Sequence, residues 1–349
     1  MADDRSKADP KEVDLVLSGG GVKFMGLVGA IVALMDAGYS FMRASGVSAG
    51  SVVASILAAA SKGDQLTGEQ VKELALSVQL RKWRDARPLP VIGPAWGVLS
   101  GAGLYRGDFA YNWIRSELKN LGVTTFGDLA IDDDYMLKER RYKLAVTAAD
   151  LTTSQLVRLP WDYQRVYGLD PDEQPVADAV RAPMAIPFFY PPVTLTSATG
   201  LTSTLVDGGM LSNFPLDSFD RPDGKPPRWP TIGITAIPGL AEGIHKVVPV
   251  LRPLRFLPPP ALLEDLITTM LVGHDEAYLN LPWVRARAIE VVTADVGILD
   301  FGISRERLER LYDRGYSAAQ AFLATWDWPA YLERYRLTVG GLEARRRAK

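Results

Sequence analysis

The chain has 349 residues, with 39 Lys and Arg against 41 Asp and Glu, a formal charge of −2 and a pI near 5.9. That balance excludes the basic footprint of a nucleic-acid binder, which usually shows a domain pI above about 9, and 47% hydrophobic with 23% charged residues excludes a mainly disordered chain. No cysteine is present, so disulfides, thiolate catalysis, iron–sulfur clusters and cysteine-ligated zinc are out, and His245 and His274 are too few for a histidine-rich metal site.

The N-terminal stretch 1–12 is polar, lacks the apolar core of a signal peptide and reads as flexible; a cytoplasmic location is the expectation. Val13 to Leu17 is a short run of β formers stopped by Ser18-Gly19-Gly20-Gly21, a strand followed by a glycine loop. Phe24 to Met35 is apolar almost throughout and ends at Gly38, a helix with a glycine C-cap. Met42 to Gly46 is the next strand and Ser48 to Ser61 the next helix. This alternation predicts a parallel sheet covered by helices on both faces.

Residues 84–107 carry Pro88, Pro90, Pro94 and five glycines among Trp96, Leu99 and Leu104, a composition that suits either a flap or an irregular surface connection. A helix over 108–120, a strand at Tyr142 to Thr147, a hairpin-like partner at Gln155 to Leu159, a helix at Pro175 to Ala182 and strands at Leu201 to Val206 and Thr231 to Ala236 follow. The last third gives an apolar helix pattern from Ala261 to Leu279, a strand at Ile289 to Thr293 and a final amphipathic helix with Ser304 as N-cap. The expected organisation is one domain over 13–330 with a basic tail over 331–349. Two uncharged stretches, 44–61 and 182–206, are broken by Ser/Gly and by four prolines, so neither reads as a membrane span.

Gly46-Val47-Ser48-Ala49-Gly50 fits G-x-S-x-G at a strand-to-helix turn. The glycines let the chain turn sharply and lift the serine oxygen off the sheet, and the helix N-terminus behind it favours a developing oxyanion. Ser48 is therefore a candidate nucleophile, against the plainer reading of a tight turn. Its base has two sources: His245 or His274, in the chain order Ser, Asp, His of the α/β-hydrolases, or Asp207, which ends an apolar run and is followed by Gly208-Gly209. An Asp-Gly-Gly is also an ordinary turn. The Gly19-Gly20-Gly21 amides can form an anion-binding nest. They fail as a nucleotide loop, since no G-x-x-x-x-G-K-[ST] is present and Phe24 stands where G-x-G-x-x-G needs glycine, but they fit an oxyanion hole.

Three elements in order, Ser18-Gly19-Gly20-Gly21-Val22-Lys23, Gly46-Val47-Ser48-Ala49-Gly50 and Val206-Asp207-Gly208-Gly209-Met210-Leu211-Ser212-Asn213-Phe214-Pro215, resemble the patatin-like phospholipases. Thr125-Phe126-Gly127-Asp128-Leu129, Ala148-Ala149-Asp150 and the stretch from Ala179 to Pro192 support the match over about residues 13–216. The resemblance implies a three-layer α/β/α sandwich with a mostly parallel central sheet, a helical C-terminal portion, and a Ser–Asp dyad without histidine, metal or organic cofactor. Carried onto this chain, Ser48 attacks an ester carbonyl of a glycerolipid, Asp207 takes the serine proton and later activates water, and the Gly19, Gly20 and Gly21 amides hold the oxyanion with Ala49 N–H as a further donor. The implied substrate is a lipid or small ester, with no more than weak, transient contact with a membrane surface and no nucleic acid.

Two departures stand out. The family places glycine after the basic residue of the loop where this chain has Phe24, a side chain that narrows either the oxyanion site or the path of an acyl chain, and a serine where it has Pro183. Phe24 also opens a third reading, a non-catalytic lipid-binding relative. Lys23 is either a headgroup contact or the partner of a structural carboxylate. Asp132-Asp133-Asp134 lacks calcium-loop spacing, and Trp96, Phe188, Phe189 and Tyr190 are either an acyl-channel wall or core.

Overall fold

The computed structural model describes residues 11–62, 66–85, 103–134, 136–221, 227, 229–237 and 276–335. Trp96, His245, His274 and most of the helix expected over 261–279 lie outside them. The main elements are β1 (Glu12–Leu17), α1 (Phe24–Asp36), β2 (Ser40–Val47), α2 (Ala49–Ala60), α3 (Gly68–Ser77), α4 (Asp108–Asn120), β3 (Leu144–Asp150), β4 (Gln155–Leu159), α5 (Val176–Met184), β5 (Val193–Thr196), β6 (Thr202–Asp207), β7 (Thr231–Ile237), β8 (Ala288–Val292) and α6 (Arg305–Leu323). Ser304 caps α6 as expected, its hydroxyl accepting from Arg307 N–H at 3.3 Å.

Eight strands form one mixed sheet. β8, β7, β1, β2 and β3 run parallel in that order, β4 and β6 pair antiparallel with β3, and β5 pairs antiparallel with β6. Flanking helices complete a three-layer α/β/α fold, the class expected from the sequence. β1–α1–β2 and β2–α2–β3 step the same way along the sheet, so α1 and α2 share one face. The return from β6 to β7 steps the other way, and its segment packs Phe214 and Leu216 under Gly233. α6 crosses α1 at close range because Gly29 and Gly315 leave no side chain between the two backbones.

The register at β3 positions the site. Val146 and Thr147 are paired to both β2 and β4, and Ala148 to Asp150 to both β4 and β6. A strand has only two edges, so β2 and β6 lie end to end on the same edge of β3. β6 enters the sheet where β2 leaves it, with Val47 opposite Thr147 and Asp207 opposite the next residue, Ala148. Two residues far apart in sequence, Ser48 and Asp207, are thereby brought to one point.

The strand expected at Tyr142 to Thr147 runs instead from Leu144 to Asp150. α3 and β5 were not anticipated. Residues 328–335 are helical, and Tyr331 donates its hydroxyl proton to Trp283 O at 3.1 Å, so packed structure continues past residue 330.

Candidate active site

Ser48 sits between β2 and α2 with φ +51° and ψ −130°, and is 3% exposed. A non-glycine residue held there stores about 1–3 kcal/mol of strain. The turn is tight because both flanking glycines are needed. A Cβ on Gly46 would collide with Gly50 O of the first turn of α2, and one on Gly50 with Ser18 O at the end of β1. Ala49 opens α2, and as the first helical residue its N–H has no acceptor within the helix.

Asp207 ends β6 fully buried. Its Oδ1 accepts from Gly209 N–H at 2.8 Å, and its Oδ2 makes no hydrogen bond of ordinary geometry. Burial raises its pKa from 3.8 to about 7, against the Gly209 N–H and the Ser48 hydroxyl, both of which favour the carboxylate. The Ser48 hydroxyl is thus near the carboxyl yet not aligned into a bond, a looseness common in ligand-free catalytic sites.

The glycine loop is clamped from two sides. Gly19 N–H donates to Asn213 O at 3.2 Å, and Gly19 O accepts from Asn213 Nδ2 at 3.4 Å and from Ser18 Oγ at 3.0 Å. Ser18 Oγ in turn accepts from Ala236 N–H at 3.1 Å. A trans peptide points its C=O and N–H in opposite directions, so pinning Gly19 O turns Gly20 N–H away from those partners. A Cβ on Gly19 would lie 2.9 Å from Ser48 Cβ, which puts the loop against the serine. Gly21 has φ +55°, and a Cβ there would strike Ile298 O, to which Val22 N–H donates at 3.0 Å. Of the three loop amides, Gly19 N–H is thus committed, while no backbone acceptor engages Gly20 or Gly21 N–H among the described residues.

Lys23 closes this turn and is 2% exposed. Burial lowers its pKa to about 8, and the charge of Asp295 pulls it back up. Arg181 is ion-paired with Asp108 at 3.2 Å.

A cavity with about 820 Å³ of empty space, open mouth included, opens at Ser48. Gly21, Ala49, Phe24, Val28, Val52, Ile56, Trp83, Trp113, Tyr190 and Phe301 are among its walls, and among the described residues no charged side chain lines it. Phe24 is therefore a cavity wall. Tyr190 joins it, whereas Phe189 is core, stacked on Phe301 at 5.3 Å between ring centroids.

The family profile of the patatin-like phospholipases matches residues 15–220, which contain the elbow, the glycine loop and the Asp-Gly-Gly turn. The chain belongs to the patatin-like phospholipase family. It is 33% identical over 320 residues to the uncharacterized protein YqhO of Bacillus subtilis (strain 168), covering 90% of this chain and 99% of that one. Among solved structures it is similar to VipD from Legionella pneumophila, with a TM-score of 0.51 and 18% identity over 90% of this chain and 67% of VipD, a likeness of fold. ExoU of Pseudomonas aeruginosa, in its complex with SpcU, gives a TM-score of 0.45 and 19% identity; the chain covers 52% of ExoU, about half its length.

In this patatin-like chain, sequence reasoning missed the C-terminal contribution. Ile298 and Phe301, beyond the family match, form part of the loop's seat and the cavity wall. Asn213 lay inside a quoted motif without a role; its position six residues after Asp207 was the available signal. No described helix is long and apolar enough to cross a membrane.

Proposed function

We propose that this patatin-like protein is a serine acyl hydrolase that cleaves carboxylic esters of glycerolipids, of phospholipase A or lysophospholipase type, through Ser48 and Asp207. One observation carries the reading: a serine on a strained elbow faces a buried carboxyl of pKa about 7 at the mouth of an uncharged cavity. Family membership supports the lipid substrate class.

Asp207, ionised, takes the Ser48 hydroxyl proton as the oxygen attacks the ester carbonyl. An unperturbed aspartate near pKa 3.9 is a feeble base at neutral pH; burial brings this one close to the working pH, where a general base is most effective. The tetrahedral oxyanion is held by the Gly20 and Gly21 N–H groups and by Ala49 N–H at the start of α2. Collapse expels the alcohol with the proton held by Asp207. Water, deprotonated by the same carboxylate, then releases the fatty acid and regenerates Ser48. The acyl chain lies along the apolar wall that includes Phe24, so the residue that departs from the family pattern contacts the chain.

The test is fatty-acid release from phospholipids, lysolipids, neutral glycerides and short p-nitrophenyl esters, with chelator present, for wild type, Ser48→Ala and Asp207→Asn. Loss of about a thousandfold or more in both variants is expected. Full activity in Ser48→Ala would sink the assignment. No release by folded wild type, together with no labelling of Ser48 by a fluorophosphonate, would favour a non-catalytic lipid-binding protein.

A further inference from the structure

The cavity that opens at Ser48 ends against side chains that also line a second pocket. It follows α2 as far as Leu57, and that second, half-open pocket, with about 930 Å³ of empty space counting the open solvent at its mouth, begins there. Leu57 and Val71 line both, and each is 6% exposed. The same three helices wall both chambers. α1 contributes Phe24 to the first and Asp36 to the second; α3 runs the opposite way, with Val78 on the first and its cap Thr67 on the second.

The chambers differ in character. Among the described residues no charged side chain lines the first, whereas the second mixes apolar walls with Ser40, Ser61, Thr67 and Asp36, whose Oδ2 accepts from Tyr316 at 2.9 Å. Leu57 and Val71 are the two side chains that the linings share among the described residues. From Ser48 to Leu57 the helix rises about 13 Å at 1.5 Å per residue, the reach of an extended chain of roughly ten carbons at ordinary bond lengths.

We propose that Leu57 and Val71 close the far end of an acyl tunnel and set the longest chain that fits whole. This rests on the hydrolase reading above. A chain that stops short of these two side chains gains buried area with every methylene; a longer one must fold back or leave carbons at the mouth, so the gain per methylene stops near ten carbons. Trimming either side chain joins the chambers, and the chain passes between α2 and α3 toward the far opening.

The experiment uses two ladders of saturated chains from about eight to about eighteen carbons. The first is kcat/KM on p-nitrophenyl esters for wild type, Leu57→Ala and Val71→Ala. The second is calorimetric binding of the free fatty acids to Ser48→Ala, alone and combined with each trimming substitution. Wild type levels off near ten carbons, and the trimmed variants gain at least about tenfold for the longest chains relative to the shortest, the worth of roughly two further buried methylenes. Ala75→Leu, on the same wall of α3 nearer the serine, moves the limit to shorter chains. Leu57→Val replaces Leu57→Ala if that variant does not fold.

Folded variants with wild-type profiles in both ladders would overturn the proposal while leaving the hydrolase reading intact. A wild type inert on every ester, with a binding ladder that still shifts on trimming, would sink the hydrolase reading and leave the tunnel standing.

Discussion

Two buried carboxyls on the same sheet have opposite fates. Asp14, on β1, is 1% exposed and grips Arg43 of the neighbouring strand bidentately, with Arg43 Nε at 3.0 Å from Oδ1 and Nη2 at 2.5 Å from Oδ2. The guanidinium also lies 4.4 Å from the centre of the Phe219 ring. Burial still raises the Asp14 pKa, with Arg43 pulling it back. Asp207, at the end of β6, has no cation beside it among the described residues. It holds one amide bond and one unpartnered oxygen. The first arrangement spends both oxygens on structure; the second leaves one oxygen, and a pKa near neutrality, for chemistry.

That contrast can be broken from either side. Arg43→Met turns Asp14 into a second unpaired buried carboxyl, and removing one partner of a buried pair costs about 3–5 kcal/mol. The loss is expected to be full while Asp14 stays ionised and to shrink as the pH falls and its raised carboxyl takes up a proton; activity per folded molecule stays, since Asp14 lies three residues, about 10 Å, before the end of β1. Asp207→Asn has the opposite sign. A folded-state pKa raised from 3.8 to about 7 means that the wild type loses stability as pH climbs through that interval, by about 4 kcal/mol in all, and is level above it. The Asn variant lacks this slope, so its advantage over wild type grows from pH 4 to pH 7 while its activity is gone. Denaturant melts across pH check both. A wild type with no such slope would mean that Asp207 is not held neutral by burial.

On the proposed mechanism the same pKa governs activity. The base must be ionised, so kcat/KM is expected to fall tenfold per unit below about pH 7 and to flatten above it. His245→Ala and His274→Ala should keep both plateau and midpoint. If either abolishes the plateau, a histidine is the base and Asp207 its orienter.

Much of this was legible in the sequence, for identifiable reasons. β1, α1, β2 and α2 announce themselves because glycines stop each strand at a turn and apolar runs follow. The elbow's steric logic also holds, since Gly46 and Gly50 both face backbone that a side chain would strike. α3 was missed although Thr67 and Gln70 form a complete capping box and Val71, Leu74, Ala75 and Val78 repeat at helical spacing, and it supplies a cavity wall. The raised pKa of Asp207 was not legible, because it depends on burial by β3 and β6 brought together from distant positions. Nor was the use of Phe24, whose direction is set by where α1 starts.

The smallest expected effect probes the clamp that holds the glycine loop on the catalytic side of this contrast. Asn213→Ala removes one long hydrogen bond, Nδ2 to Gly19 O at 3.4 Å, but leaves the backbone bond from Gly19 N–H to Asn213 O and the Ser18 hydroxyl on Gly19 O. A single such bond contributes about 0.5–1.5 kcal/mol, so the melting point should move by only a few degrees. Activity should fall by about tenfold or less, and in kcat rather than KM, because on the proposed mechanism Gly20 N–H, aimed by the pinned carbonyl, meets the oxyanion only in the transition state. Ser18→Ala should cost more in stability, since it also strips the acceptor from the buried Ala236 N–H. An Asn213→Ala enzyme with raised KM and unchanged kcat would mean that the clamp shapes substrate binding instead, and that the Gly20 amide is not an oxyanion donor.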